Sequence, residues 1–143
     1  MGRPDGAGRR APAHSPGHAA LLVEDRGVLI GGDMLSDVFP PMLDVDAGDD
    51  PIADYRAGLD RLAGLLAAVE IVVPGHGFVG RGEEIRDRVV RDRAYLDALQ
   101  AGRTPQDPRL GPDVAPGWEW VNDVHESQAA ALAGRFPGLS SRS

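Results

Sequence analysis

Two short apolar runs on either side of a tight turn constrain the fold most. The first run is AALLVE at 19–24, the turn is DRG at 25–27, and the second run is VLI at 28–30, ended by Gly31 and Gly32. Runs this short, bounded by glycine, are typical of buried strands rather than helices. The pattern therefore predicts a β-hairpin. A third run, IVV at 71–73, ends at Pro74-Gly75 and predicts a further strand.

Helical periodicity fills the segments between and after these strands. Asp50-Pro51 is typical of a helix start, and an apolar face with spacings of three and four residues follows it. A second helix is predicted from about Glu83 to Ala101, and a short third helix over 124–136. Residues 1–13 are expected to be an irregular lead-in, and 102–117 a Pro/Gly-rich loop. The expected inward residues of the two longer helices are Tyr55, Leu59, Leu62, Leu66, Val69, Ile85, Val89, Leu96 and Leu99.

Composition excludes several classes of protein. With 143 residues the chain is expected to form one domain, and its net charge of −7 without a basic stripe argues against nucleic-acid binding. The absence of cysteine excludes disulfides, thiolate metal sites and cysteine nucleophiles. No apolar run approaches the roughly 18 residues of a membrane span, and no secretory signal is recognisable. We therefore expect a cytoplasmic, mixed α/β protein.

Chemistry-bearing residues concentrate at strand boundaries. HSPGH occupies 14–18 directly before the first strand, GGD ends at Asp33 after the second, and PGHG at 74–77 follows the third. Side chains at strand ends are held by a sheet and still face a loop-lined cleft. Imidazole and carboxylate are ligands for zinc, iron or manganese. One histidine alone is more often structural, but this combination predicts a metal site.

The stretch HSPGHAALLVEDRGVLIGGD, followed by a helix and EIVVPGHG, resembles the C-terminal half of the metallo-β-lactamase fold hydrolases over residues 12–100. The resemblance implies half of an αββα sandwich, with a mixed sheet and flanking helices, over 14–101. It implies that His14 binds the first metal, His76 the second, and that Asp33 bridges both, a ligand pattern similar to glyoxalase II. His18 is expected to support these ligands or to touch substrate. Residues 102–143 would add a loop and a short helix.

The same resemblance implies two divalent metal ions, with zinc favoured and iron or manganese as alternatives. The reaction would be attack of a metal-activated water on an ester, thioester or related bond of a small molecule. The family's HxHxDH motif does not precede His14 in this sequence. We therefore expect the chain alone to bind metal weakly or not at all, and to be inactive or weakly active alone.

Three explanations of the missing motif remain open. They are a gene start upstream of Met1, a truncation of the chain, and a partner or second copy that completes the sandwich through its uncovered sheet face. The alternative function is a non-catalytic remnant or interaction module with the same half-fold.

Two tryptophans lie outside this resemblance. Trp118 and Trp120, in GWEW, either form a wall of the cleft or pin the C-terminal segment to the body of the protein, and we favour the second interpretation. His125 is expected not to be a ligand.

Overall fold

The computed structural model describes residues 9–12, 19–46 and 49–135; His14 and His18 lie outside these ranges. The strands are β1 (Arg9–Pro12), β2 (Ala19–Val23), β3 (Val28–Gly32), β4 (Ile71–Pro74) and β5 (Gly80–Arg81). The helices are α1 (Pro51–Leu65), α2 (Glu83–Gln100) and α3 (Trp120–Arg135), with short 3-10 turns at Glu24–Arg26 and Leu66–Ala68. None of the described helices combines the length and apolar character that a membrane span requires.

The strands form one mixed sheet in the order β1-β2-β3-β4-β5. β2 and β3 are the predicted hairpin, with Leu22 opposite Leu29, and Gly27 between them takes the left-handed conformation that the turn requires. β3 and β4 are parallel, and α1 makes the crossover between them. The carboxyl ends of both strands therefore lie at the same edge of the sheet.

All three helices contribute to one core on one face of the sheet. The central strand residues Leu22, Leu29 and Val72 are at most 2% exposed and share a cluster with side chains of the helices. Burial of apolar side chains in a core of this kind is the dominant favourable contribution to folding. The helix residues in it are Ile52, Tyr55, Leu59, Leu62, Ile85, Val89, Tyr95, Leu96, Leu99 and Leu132.

The opposite face of the sheet is also apolar but is not closed. Alternate residues of a strand point to opposite faces. Leu21 and Ile30, which pair across the hairpin, are 39% and 42% exposed, and Val73, beside Ile30, is half-buried. A sheet with apolar side chains on both faces is typical of a layer that lies between two others.

Most predicted elements are confirmed, including the cap of α1, where Asp50 Oδ1 accepts a hydrogen bond of 3.0 Å from the Ala53 amide. The expectation that 1–13 is irregular was wrong at Arg9–Pro12. These residues form a strand by backbone pairing with β2, although their side chains show no alternation of apolar and polar residues. The two-residue strand β5 was not predicted. α3 begins at Trp120 rather than 124, so the last residue of GWEW is the first residue of the helix.

Candidate metal site

The parallel pairing of β3 and β4 brings Asp33 and His76 together. Gly32 pairs with Pro74, and the Gly75 amide donates a 2.6 Å hydrogen bond to the Gly32 carbonyl. His76 Nδ1 lies 3.5 Å from Asp33 Oδ1, with side-chain exposures of 50% and 22%. Two of the three predicted metal ligands therefore meet at one edge of the sheet, far apart in sequence and accessible to solvent.

This spacing fits a shared metal ion. Two ligand atoms about 2.1 Å from a tetrahedral zinc ion lie about 3.4 Å apart. The separation of 3.5 Å between His76 Nδ1 and Asp33 Oδ1 matches that value and is long for a direct charge-assisted hydrogen bond. The donor set, one imidazole and one carboxylate, suits zinc, iron and manganese alike.

The described residues do not complete a metal site. Within 9–12, 19–46 and 49–135, no group of three His, Cys, Asp or Glu side chains is placed to hold an ion. His14, the third predicted ligand, and His18 fall outside those ranges, so their roles stay predictions. The structure thus brings together the Asp33 and His76 part of the predicted set.

The segment after β3, residues 33–39, is here named the aspartate loop. Ser36, 1% exposed, donates from Oγ to the His76 carbonyl at 2.9 Å and accepts from the amides of Val38 and Phe39. Asp37 Oδ1 accepts a 2.8 Å hydrogen bond from the Phe78 amide. These contacts tie the loop that begins with one candidate ligand to the turn that carries the other.

Two buried arginines hold the aspartate loop from the side of the helices. Arg88 of α2, 1% exposed, donates from Nη1 to the Leu35 carbonyl at 3.0 Å. Arg109, 3% exposed, donates from Nη1 to the carbonyls of Ser36 and Phe39, both at 3.1 Å. The loop is therefore fixed through its carbonyl groups by two charged donors.

Arg109 is in turn anchored by two carboxylates, from Asp92 at 2.6 Å and Asp107 at 2.7 Å. Burial alone would lower the pKa of the guanidinium, but the two acids outweigh burial and raise that pKa above its already high value, so Arg109 stays charged. Burial raises the pKa of Asp92 to about 6, and the neighbouring Arg109 limits that rise. Buried ion pairs of this kind are weak evidence for stability. We interpret this one as fixing the position of Arg109 against the carbonyl groups of the aspartate loop.

Sequence reasoning missed this network of Ser36, Arg88, Asp92 and Arg109. A signal existed on α2, because Arg88 and Asp92 lie in the same helical register as the inward residues Ile85, Val89 and Leu96. A charged residue at an inward position indicates a buried partner. The partner Arg109 comes from the loop that follows α2, and only the tertiary fold reveals it.

Aromatic side chains form one wall beside His76. The ring centroids of His76 and Phe39 are 5.2 Å apart, and those of His76 and Trp118 are 6.2 Å apart in an edge-to-face arrangement. Trp120 is 40% exposed and lies 5.8 Å from Trp118. The position beside His76 is compatible with a cleft wall. The packing of Trp118 and Val121 against Phe39 is equally compatible with attachment of the C-terminal segment to the body of the protein.

The fourth histidine takes part in a different hydrogen-bond chain. His125 Nδ1 lies 2.7 Å from the Tyr95 hydroxyl, which also accepts from the Gln128 side-chain amide. Burial lowers the pKa of His125, which favours the neutral imidazole. Its partner Tyr95 belongs to the helical core, so this contact joins His125 of α3 to α2.

The fold matches those of known proteins. The chain aligns with a metallo-β-lactamase family protein from Thermus thermophilus at 27% identity and a TM-score of 0.60, over 92% of this chain and 44% of that one. It aligns with a β-lactamase domain protein from Burkholderia ambifaria at 29% identity and a TM-score of 0.60, over 94% of this chain and 43% of that one. The resemblance to the metallo-β-lactamase family is therefore confirmed as a partial fold, and the chain spans less than half the length of these structural neighbours. No family model and no curated protein matches the sequence.

Proposed function

We propose that this chain provides the Asp33 and His76 part of a two-metal site of a cytoplasmic hydrolase acting on small molecules. The reaction would be hydrolysis of an ester, thioester or related bond, and the chain alone would be inactive or weakly active. The main support is the 3.5 Å approach of His76 Nδ1 to Asp33 Oδ1 at the ends of parallel strands, in a fold shared with metallo-β-lactamase proteins.

The roles follow from the chemistry of each group. Asp33 has two carboxylate oxygens and can serve two ions at once, whereas His76 offers one nitrogen lone pair. His14 enters as the third ligand on the strength of the resemblance alone. When bound, divalent ions would lower the pKa of water and polarise the bond under attack. Phe39 and Trp118 would shield one side of His76 from solvent.

The expected metal affinity can be bounded. A complete structural zinc site provides on the order of 10 kcal/mol, so a site with about half of its ligands provides on the order of 5 kcal/mol, a Kd of about 0.2 mM. Zinc titration of the full chain, followed by NMR of the histidine side chains, measures this directly.

Four variants make the titration specific. We expect His76→Gln and Asp33→Asn to weaken zinc binding about tenfold or more, the loss of one charge-assisted ligand. His14→Gln tests the ligand outside the described residues and is expected to do the same. His125→Gln is the matched control and should leave the affinity unchanged. Equal effects of all four substitutions, or no effect of His76→Gln, would contradict the proposal.

A second candidate is an interaction module without catalysis, favoured by the apolar outer face of the sheet at Leu21 and Ile30. In this case a second copy of the chain would cover the face, since the side chains there are apolar and an exposed patch of this kind promotes association. The two candidates predict different results: a module self-associates but gives no zinc response at His76.

A further inference from the structure

One residue of the aspartate loop has an unfavourable backbone conformation. Among the described residues, Leu35 is the one non-glycine with a positive φ, +58°, and its side chain is fully buried. For a leucine this conformation costs about 1–2 kcal/mol relative to the usual regions, and it persists only where surrounding contacts impose it. Leu35 follows Asp33 by two positions, so its backbone angles affect the direction in which the chain leaves the candidate ligand.

Buried charged side chains supply the contacts that impose this conformation. Arg88 binds the Leu35 carbonyl, and Arg109 binds the next carbonyl, that of Ser36, as well as that of Phe39. The Leu35 backbone amide also stabilises the Asp92 carboxylate. Three buried charged residues from α2 and the following loop thus act on neighbouring peptide groups.

The same loop reaches the turn of His76 at two points, through Ser36 Oγ to the His76 carbonyl and through Asp37 to the Phe78 amide. Arg88 also lies 3.8 Å from the Asp37 carboxylate. A shift of the loop carbonyls would therefore move both the Asp33 backbone and the His76 turn.

We propose that Arg88 and Arg109 are positioning residues that hold the aspartate loop in its strained form and thereby fix the separation of Asp33 from His76. The proposal deepens the metal-site function and rests on it for its purpose. The structural part stands separately, because the distance between the two side chains can be measured without metal.

The experiment is NOE spectroscopy of the full chain, free of metal, between the Asp33 β-protons and the His76 ring protons. Arg88→Met keeps the buried aliphatic stem and removes the donors. For Arg109, the triple variant Asp92→Leu, Asp107→Asn, Arg109→Met removes the ion pairs together, since loss of Arg109 alone would leave Asp92 buried without its partner. Arg93→Met, which removes an exposed arginine of α2 paired with Asp60, is the matched control.

We expect the NOE in the wild type and in Arg93→Met. In Arg88→Met and in the triple variant we expect a loss of NOE intensity, because the intensity falls steeply with the distance between the protons, while NOEs within the helical core persist. An unchanged NOE in either folded variant would overturn the role of that arginine, and absence of the NOE from the wild type would overturn the proposal. If the NOE behaves as expected but zinc does not bind at His76, the positioning role stands and the metal function fails.

Discussion

Gly77, next to His76, offers a sharp test of how tightly the two candidate ligand segments are packed. Its φ is +102°, and a Cβ at this position would overlap Asp37 Oδ1 and lie 3.0 Å from Val38 Cγ2 and 3.2 Å from Ser36 Oγ. Gly111 has nearly the same φ, +97°, but a Cβ there would meet nothing within 4 Å. Gly77→Ala and Gly111→Ala therefore share the backbone strain and differ in the available space.

The expected magnitudes follow from these contacts. Both variants incur the strain of alanine at positive φ, about 1–2 kcal/mol. Gly77→Ala also displaces Asp37, which accepts from the Phe78 amide, and Ser36, which donates to the His76 carbonyl. Two lost hydrogen bonds at about 1 kcal/mol each bring its total to about 3–4 kcal/mol. Such a loss is a large fraction of the roughly 5–15 kcal/mol that stabilises a domain.

Urea unfolding followed by circular dichroism, with the m-value checked for each protein, measures both free energies. Gly77→Ala should lose about 2 kcal/mol more than Gly111→Ala. If the two variants agree within about 0.5 kcal/mol, the crowding beside His76 is not real and the reasoning is refuted.

Three further predictions concern other parts of the molecule. Because burial raises the Asp92 pKa from 3.8 to about 6, the unfolded state ionises first as pH rises. Ionisation of Asp92 should therefore lower the free energy of unfolding by about 3 kcal/mol in total between about pH 3 and 7, with about 2 kcal/mol of this loss between pH 4 and 6, and urea titrations of Asp92→Asn should lack that component. Ile30→Glu should reduce self-association of the chain, measured by sedimentation velocity. The control Val90→Glu changes an α2 residue that is 63% exposed and should leave self-association unchanged. Equal effects of the two substitutions would reject the sheet face as the contact. Tyr95→Phe removes hydrogen bonds to His125 and Gln128 and should destabilise by about 1–3 kcal/mol in urea, and a loss below about 0.5 kcal/mol would contradict a structural role.

The candidate site was predictable to the extent that its residues follow strands directly. GGD and PGHG place Asp33 and His76 at strand ends by local sequence alone. That these ends are adjacent depends on the parallel pairing of β3 with β4, and the resemblance supplied this expectation, since the chemistry of the residues does not specify which strands pair. The roles of His14, His18 and the tryptophans remain predictions.

Elements with a strong local signal follow from the amino-acid sequence alone. The hairpin, the inward face of α1 and the cap at Asp50 arise from periodicity and turn chemistry, which act over a few residues. β1 was decided by pairing with β2, because backbone hydrogen bonds form without a side-chain pattern. The strained Leu35 and its arginines were decided by contacts between residues 53 and 73 positions apart. Only a folded chain brings such groups together and removes the water that would otherwise compete for their hydrogen bonds.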